Sequence, residues 1–258
     1  FPEIFPKKIW QTGSESMKEK WAEQTETWTS MNSEWNYELL TDDSNTLFVE
    51  DRFKDRPALL AFWRDLNVTI LRADFVRYLS MLADGGVYSD MDTSCMKPIE
   101  EWIPSNFDES AINAVVGVEY DDNTYKMFVR PVSFCQWTLM AKPGHPIFEA
   151  VVARVIYHLE YLARIQNTNL AGLKVGKKEV LEATGPGAFT DAVMENLSNS
   201  LGRKVEWSEV QGLKEPTVFG DVLVLPINGF GSGQKHSHSS DPAYGEVLAK
   251  HHFGRSWY

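Results

Sequence analysis

The segment Ile70 to Ala83 stops at Asp84-Gly85-Gly86 and leads directly into Val87-Tyr88-Ser89-Asp90-Met91-Asp92. Leu71, Phe75, Leu79, Leu82 and Ala83 recur at helical spacing and form one apolar arc, so the first piece is predicted to be a core-facing helix. A double glycine ends such a helix, because glycine enters left-handed backbone at no steric cost. The second piece has the composition of a strand. In a strand, Tyr88, Asp90 and Asp92 would share one face, with Val87, Ser89 and Met91 on the other. A helix feeding a buried strand that ends in two carboxylates constrains the chain to a layered α/β fold with chemistry at the strand end.

The rest of the chain repeats that alternation. Pro6 to Gly13 reads as a first strand ending in Gln11-Thr12-Gly13, followed by a Trp-rich helical stretch from Met17 to Met31. Tyr37 to Asp43 reads as a strand running into a turn, and residues 44–66 as two helical pieces broken near Pro57. Ala111 to Tyr120 and Ser133 to Ala141 are predicted as buried strands, and Pro146 to Gln166 as a strong amphipathic helix. Residues 167–182 read as a polar connection. Thr184-Gly185-Pro186-Gly187 opens a further helix through Leu197, and Val222 to Pro226 is a short strand. Residues 229–242 form a Gly/Ser/His loop. With no repeat, low-complexity tract or linker, the expectation is a single domain over 1–258 with a mostly parallel sheet.

Charge narrows the function classes. Thirty-six acidic against 25 basic side chains leave a net charge of −11, which argues against a binder of nucleic acid or anionic membrane. No stretch approaches the roughly 18 apolar residues of a membrane span. The chain opens on Phe1 with nothing resembling a signal peptide, so the expectation is a processed piece whose upstream anchor is missing. Cys95 and Cys135 are either one bridge or two buried thiols. Asn67-Val68-Thr69 and Asn196-Leu197-Ser198 are glycosylation sequons, each a weak pointer to a secretory route.

Two carboxylates on one strand face repel unless a cation joins them, and hard oxygen ligands suit Mg²⁺ or Mn²⁺, which clamp diphosphates. A D-x-D tripeptide alone is common by chance. The helix before it adds weight: Asp74 and Arg77, three residues apart, neighbour each other off the apolar arc. On the surface such a pair contributes less than about 1 kcal/mol. Arg72 falls on the apolar arc beside Val76, so it must snorkel or meet a buried anion. Asp90-Met91-Asp92-Thr93 also fits the D-x-D-x-T of aspartyl-phosphate phosphohydrolases, with Asp90 as nucleophile. That rival needs a distant lysine and a second acidic cluster; Asp121-Asp122 lies close in sequence for the second role. A non-catalytic nucleotide-sugar binding module is the third class.

Ile70 to Tyr78 together with Gly85 to Asp92 resembles the sugar-binding DXD region of glycosyltransferase family 32, as found in the fungal initiation-specific α-1,6-mannosyltransferases. Phe5 to Gly13, the Tyr37 to Asp42 strand, Thr184-Gly185-Pro186 and the terminal His251-His252-Phe253-Gly254-Arg255-Ser256-Trp257 fit too, in the same order along most of the chain. The terminal segment is similar to the family's H-x-F-x-G-S-W, with its glycine one place early. The resemblance implies a GT-A fold, a Rossmann-like nucleotide-binding domain with a divalent metal and a nucleotide-sugar donor. It implies metal ligation by Asp92 and Asp90, completed by His251 or His252, and donor contacts from Arg72, Asp74, Arg77, Tyr88 and Asp90. It also implies Gln11, Thr12 and Gly13 around base and ribose, and Ser256 and Trp257 on the nucleotide. Asp74, Arg77, Asp90 and Asp92 are the expected catalytic set. Gln136, Trp137 and Glu119 are further candidates for the sugar pocket, Thr184 to Gly187 for an anion or acceptor, and His236 and His238 for a lid. The implied reaction is metal-dependent retaining transfer of mannose from GDP-mannose to a mannose hydroxyl of a glycan, with Mn²⁺ or Mg²⁺. UDP-galactose, UDP-N-acetylglucosamine and UDP-glucose are alternative donors. The implied setting is the Golgi lumen, as part of a type II membrane protein, in possible complexes with other mannosyltransferases.

Overall fold

The computed structural model describes residues 1–122 and 130–254. β1 (Lys8–Thr12) is followed by α1 (Glu15–Lys20), α2 (Ala22–Met31) and β2 (Asn36–Leu40). α3 (Asp42–Arg52) and α4 (Pro57–Asp65) precede α5 (Thr69–Ala83), β3 (Gly86–Ser89) and β4 (Thr93–Cys95). β5 (Ala114–Tyr120), β6 (Ser133–Phe134) and β7 (Thr138–Ala141) lead to α6 (Pro146–Ile165), α7 (Lys177–Ala183) and α8 (Pro186–Leu201). β8 (Thr217–Phe219), β9 (Val222–Leu225), α9 (Ile227–Gly231) and β10 (Ala249–His251) complete the described elements.

The central sheet runs β2-β1-β3-β7-β5-β9-β8, with β6 attached to β5. β1 pairs parallel with β2 and β3, and β5 pairs parallel with β9. β7 lies antiparallel between β3 and β5. Strand alternation sorts the core to the two sheet faces. Trp10, Tyr88, Val116, Leu139 and Val224 join the cluster under α5, α6 and α8. Ile9, Val87, Val115, Met140 and Leu223, each one position away, join the cluster around Trp28, Trp102 and Phe230. Each buried aliphatic side chain contributes roughly 1.5–3 kcal/mol, so the inner strands are fixed in register from both sides.

The Gly85-Gly86 corner forms as expected, with φ of +66° and +94°. A Cβ on Gly86 would stand 2.4 Å from the Lys8 carbonyl, so the corner also lets β3 approach β1. Tertiary packing moved other boundaries. The Met17 to Met31 stretch breaks at Trp21 into α1 and α2. The residues expected as one strand from Ser133 to Ala141 split around Cys135 to Trp137, and the polar connection holds α7, whose Val180 and Ala183 are buried. The Gly/Ser/His loop begins inside α9 and is pinned: Asn228 Nδ2 donates to the Asp241 carbonyl, and Ser239 Oγ to that of Gly231. Cys95 and Cys135 are separate buried thiols donating to the Lys97 and Val118 carbonyls. Asn196 is buried on α8 while Asn67 is exposed between α4 and α5, so only Asn67 offers a sequon to solvent. No helix among the described residues is long and apolar enough to cross a membrane.

Candidate active site

The strand ends open on a cleft of about 1610 Å³, lined by Thr12, Gly13, Asp74, Arg77, Asp90, Asp92 and His251 among others. Typical small-molecule sites occupy roughly 300–1,000 Å³, so this one has room for a large ligand and a second reactant.

The two carboxylates meet by a turn, not by strand alternation. β3 ends at Ser89, and the Asp90 carbonyl accepts from the Thr93 amide at 3.2 Å and from Thr93 Oγ1 at 2.6 Å. That turn brings Asp90 and Asp92 to one side while Met91 is buried beneath Gly13. Thr93 is fully buried and its hydroxyl also meets Ser89 Oγ at 2.7 Å, so it turns away from the cleft.

Asp90, Asp92 and His251 bring one ligand atom each within 4.8 Å of one another. β10 pairs antiparallel with β4, setting His251 opposite Thr93 and its Nε2 3.2 Å from Asp92 Oδ1. Trp137 stacks on the His251 ring at 4.7 Å and Phe253 meets it edge-on at 4.2 Å, which fixes the imidazole. The Gly254 amide donates to Asp92 Oδ2 at 2.7 Å. Burial pushes the Asp92 carboxyl up, but His251 and the Gly254 amide outweigh it and hold it below the ordinary range. Two carboxylates and one imidazole form a donor set that fits Mn²⁺ or Mg²⁺. Of the two candidate histidines, only His251 lies with the carboxylates. His252 points the other way, with Nε2 2.8 Å from Ser94 Oγ, and is not part of the trio.

Asp74 and Arg77 are not a surface pair. Both are buried on α5, with Arg77 Nη1 3.3 Å from Asp74 Oδ1 and Nη2 2.9 Å from Asp90 Oδ1. Tyr88 is buried behind the cleft and donates to Asp90 Oδ1 at 2.7 Å, so it orients Asp90 without reaching a ligand. Its hydroxyl also meets Thr12 Oγ1 at 2.9 Å. Burial pushes the Asp74 carboxyl up to about 6 against the opposing pull of Arg77 and of Thr184, whose hydroxyl donates to it at 2.8 Å.

Two other expected donor contacts are used elsewhere. Gln11 is fully buried: its Nε2 donates to the Asp90 carbonyl, and its Oε1 accepts from Thr25 and Tyr37. It braces the carboxylate turn while Thr12 and Gly13 line the cleft. Arg72 borders the cleft but meets carbonyl dipoles instead of an anion. Nη1 donates to the Trp63 and Leu66 carbonyls at 2.9 Å, and the guanidinium lies 3.9 Å from the Trp63 ring. These carbonyls lie at the C-terminal end of α4, where a cation is favoured. His236 and His238 lie outside the cleft lining, the latter stacked on Tyr244 at 4.6 Å. Ser256 and Trp257 lie outside the described residues.

Glu119, Gln136 and Trp137 also line the cleft, as do Arg130, Glu182 and the Gly185 to Gly187 turn. Arg130 is held by Asp191 and Glu182, a clamp that no spacing in the sequence signals. Burial pushes the Glu119 carboxyl up to about 7 against the opposing pull of Ser133, whose Oγ donates to it at 2.8 Å. A carboxyl raised by folding stabilises the fold below its ordinary value of 4.5 and loses that contribution as pH climbs through 7. In metal-free protein, Glu119→Gln should therefore be more stable than the wild type by about 3 kcal/mol at pH 8.5 and nearly equal to it at pH 4. Urea denaturation at the two pH values checks this. An equal offset at both would mean that Glu119 does not titrate with folding.

A family model described as glycosyltransferase sugar-binding region containing DXD motif matches residues 18–108. An initiation-specific alpha-1,6-mannosyltransferase of Candida albicans is 34% identical over 286 residues, 98% of this chain and 72% of the relative. The Schizosaccharomyces pombe enzyme of the same name is 34% identical over 259 residues; the chain spans 63% of its length. The solved PaToxG glycosyltransferase overlays 77% of this chain and 72% of its own with a TM-score of 0.52 at 16% identity, a likeness of fold. With its α/β sheet and carboxylate turn in the GT-A arrangement, the chain belongs to the glycosyltransferase family of the fungal initiation-specific α-1,6-mannosyltransferases.

Proposed function

We propose that the chain transfers mannose from GDP-mannose to a mannose hydroxyl of an N-glycan or related mannan, with α-1,6 linkage and retention at the anomeric carbon, inside the Golgi lumen. The observation that carries the reading is the convergence of Asp90, Asp92 and His251 beside the buried Asp74–Arg77 pair, in a cleft with room for donor and acceptor. The names of the relatives support the sugar and the linkage.

Mn²⁺ or Mg²⁺ held by Asp90, Asp92 and His251 would supply charge neutralisation for a departing diphosphate. The protein's own part is geometric. Arg77 and Tyr88 lock Asp90 on one oxygen, so its orientation is set before a ligand arrives. Asp74, held by Thr184 and Arg77, offers acceptor oxygens to donor-sugar hydroxyls. Trp137 and Phe253 wall the metal side and keep water from the imidazole. No carboxylate is assigned as a nucleophile; the leaving phosphate itself accepts the acceptor proton on the same face.

The test is nucleotide release from a panel of GDP- and UDP-sugars with Mn²⁺, with and without a mannose oligosaccharide. GDP release from GDP-mannose, abolished by EDTA and increased by the oligosaccharide, is the expected result. Release from a UDP-sugar alone would overturn the donor, and hydrolysis of a phosphoester in its place would overturn the class.

A further inference from the structure

Tyr78 is fully buried on α5, and its hydroxyl oxygen lies between two carbonyl oxygens: Gln136 Oε1 at 2.6 Å and the Thr184 backbone carbonyl at 2.8 Å. A phenol carries one proton and cannot donate to both. Thr184 is buried between the end of α7 and the start of α8, and as a backbone acceptor it has no way to become a donor. The Gln136 amide does: turning it by 180° exchanges oxygen for nitrogen at nearly the same position, and the hydrogen-bond network decides which end goes where. The consistent arrangement has Tyr78 donating to the Thr184 carbonyl and accepting from Gln136 Nε2. The Tyr78 hydroxyl and the Thr184 carbonyl are then both satisfied, and an unmet buried carbonyl is avoided.

That assignment places Gln136 Oε1 at the end of the amide away from Tyr78, and Gln136 lines the cleft. Its neighbours fix the region it faces. Trp137, the next residue, stacks on the candidate metal ligand His251. Thr184, which takes the Tyr78 proton, also donates to Asp74. Gln136 is therefore linked to the metal trio through Trp137 and to Asp74 through Tyr78 and Thr184, with an acceptor oxygen left over from the Tyr78 contact.

Resting on the donor reading above, we propose that Gln136 Oε1 accepts a hydrogen bond from one hydroxyl of the transferred sugar and so selects the donor, with Tyr78 as the positioning residue that sets the amide's orientation. The recognised group is a sugar hydroxyl acting as donor. A hydroxyl recognised by an Nε2 donor would act as acceptor, so the two orientations make opposite demands on the sugar.

Monodeoxy and monodeoxyfluoro GDP-mannoses separate them. In the wild type, removing one particular hydroxyl should lower kcat/KM about 10–30-fold, and fluorine at that position, which cannot donate, should be as poor as hydrogen. In Gln136→Met that penalty should disappear while the penalties at the other positions stay. Tyr78→Phe frees the amide to turn and should erase part of the same penalty, with GDP–Mn²⁺ affinity by calorimetry unchanged in both variants. Fluorine rescuing the lost hydroxyl, or a folded Gln136→Met that keeps every penalty, would overturn the assignment. A wild type that turns over another nucleotide sugar but not GDP-mannose overturns the donor instead, and the hydroxyl series is then read on that sugar.

Discussion

Asp92→Ala should abolish Mn²⁺-dependent transfer, lowering kcat by at least about 10³-fold, while the protein stays folded. Asp92 is the residue of the trio that ties the carboxylate turn to the C-terminal segment: Oδ1 faces His251, Oδ2 accepts from the Gly254 amide, and its carbonyl accepts from the His252 amide. Removing the carboxylate takes a ligand from the metal set and leaves the Gly254 amide without its acceptor. A thousandfold loss corresponds to about 4 kcal/mol of transition-state stabilisation, the scale expected for losing charge neutralisation of a diphosphate. Stability should fall far less, because the backbone pairing of β10 with β4 persists. The pH dependence has a definite sign. With a depressed folded pKa, Asp92 contributes stability above its ordinary value of 3.8 and loses it as pH falls through the lower folded value. The cost of Asp92→Ala in metal-free protein should thus be present at pH 7 and vanish in acid. The thermal midpoint of the wild type should rise with Mn²⁺ and that of the variant should not. A folded variant with transfer within tenfold of wild type would remove Asp92 from the metal site.

The layers of the fold and the neighbourhood of the site were readable because they are written locally. The helix through Ala83, the Gly85-Gly86 corner and the apolar strand that follows each carry their own period, and the structure keeps them. Chemistry that depends on long-range closure was less legible. Strand alternation brought Asp90 and Asp92 together for the wrong reason, because a Thr93 side chain, not strand pairing, ends β3. The helical wheel placed Asp74 and Arg77 off the apolar arc, but α5 is covered on nearly every side, which turns an inexpensive surface pair into a buried one. Arg72 was recognised as misplaced without its partners being known, since these are carbonyls of α4 brought near only by folding. His251 and His252 are equivalent in sequence and opposite in space, and the pairing of β10 with β4, across some 150 intervening residues, decides between them.

Arg77→Met should be the most destabilising single change at the site, by about 3–5 kcal/mol at pH 8. The guanidinium, with its side chain 7% exposed, lies between Asp74 and Asp90 and over the Tyr88 ring. Methionine fills much of the same volume, so the cost is electrostatic: two carboxylates that shared one cation are left in a low-dielectric pocket. Asp74 reports the loss most directly. Its folded value, already pushed up to about 6, is held there against burial by Arg77, and it should rise further in the variant. A raised carboxyl contributes stability below its unfolded value of 3.8 and loses it as pH climbs through the folded one. Stability of Arg77→Met should therefore fall steeply from pH 5 to 8, over a wider range than in the wild type. Adding Asp74→Asn removes the ionisable group and should restore part of the stability and flatten that slope, without restoring transfer, because Asp90 is left with Tyr88 alone of the two donors that orient it. Guanidinium denaturation of the two variants at pH 5 and 8, with transfer measured alongside, separates the roles. An Arg77→Met protein within 1 kcal/mol of wild type at pH 8 would mean that water already reaches the pair, and the preorganised Asp90 on which the catalytic reading depends would have to be given up.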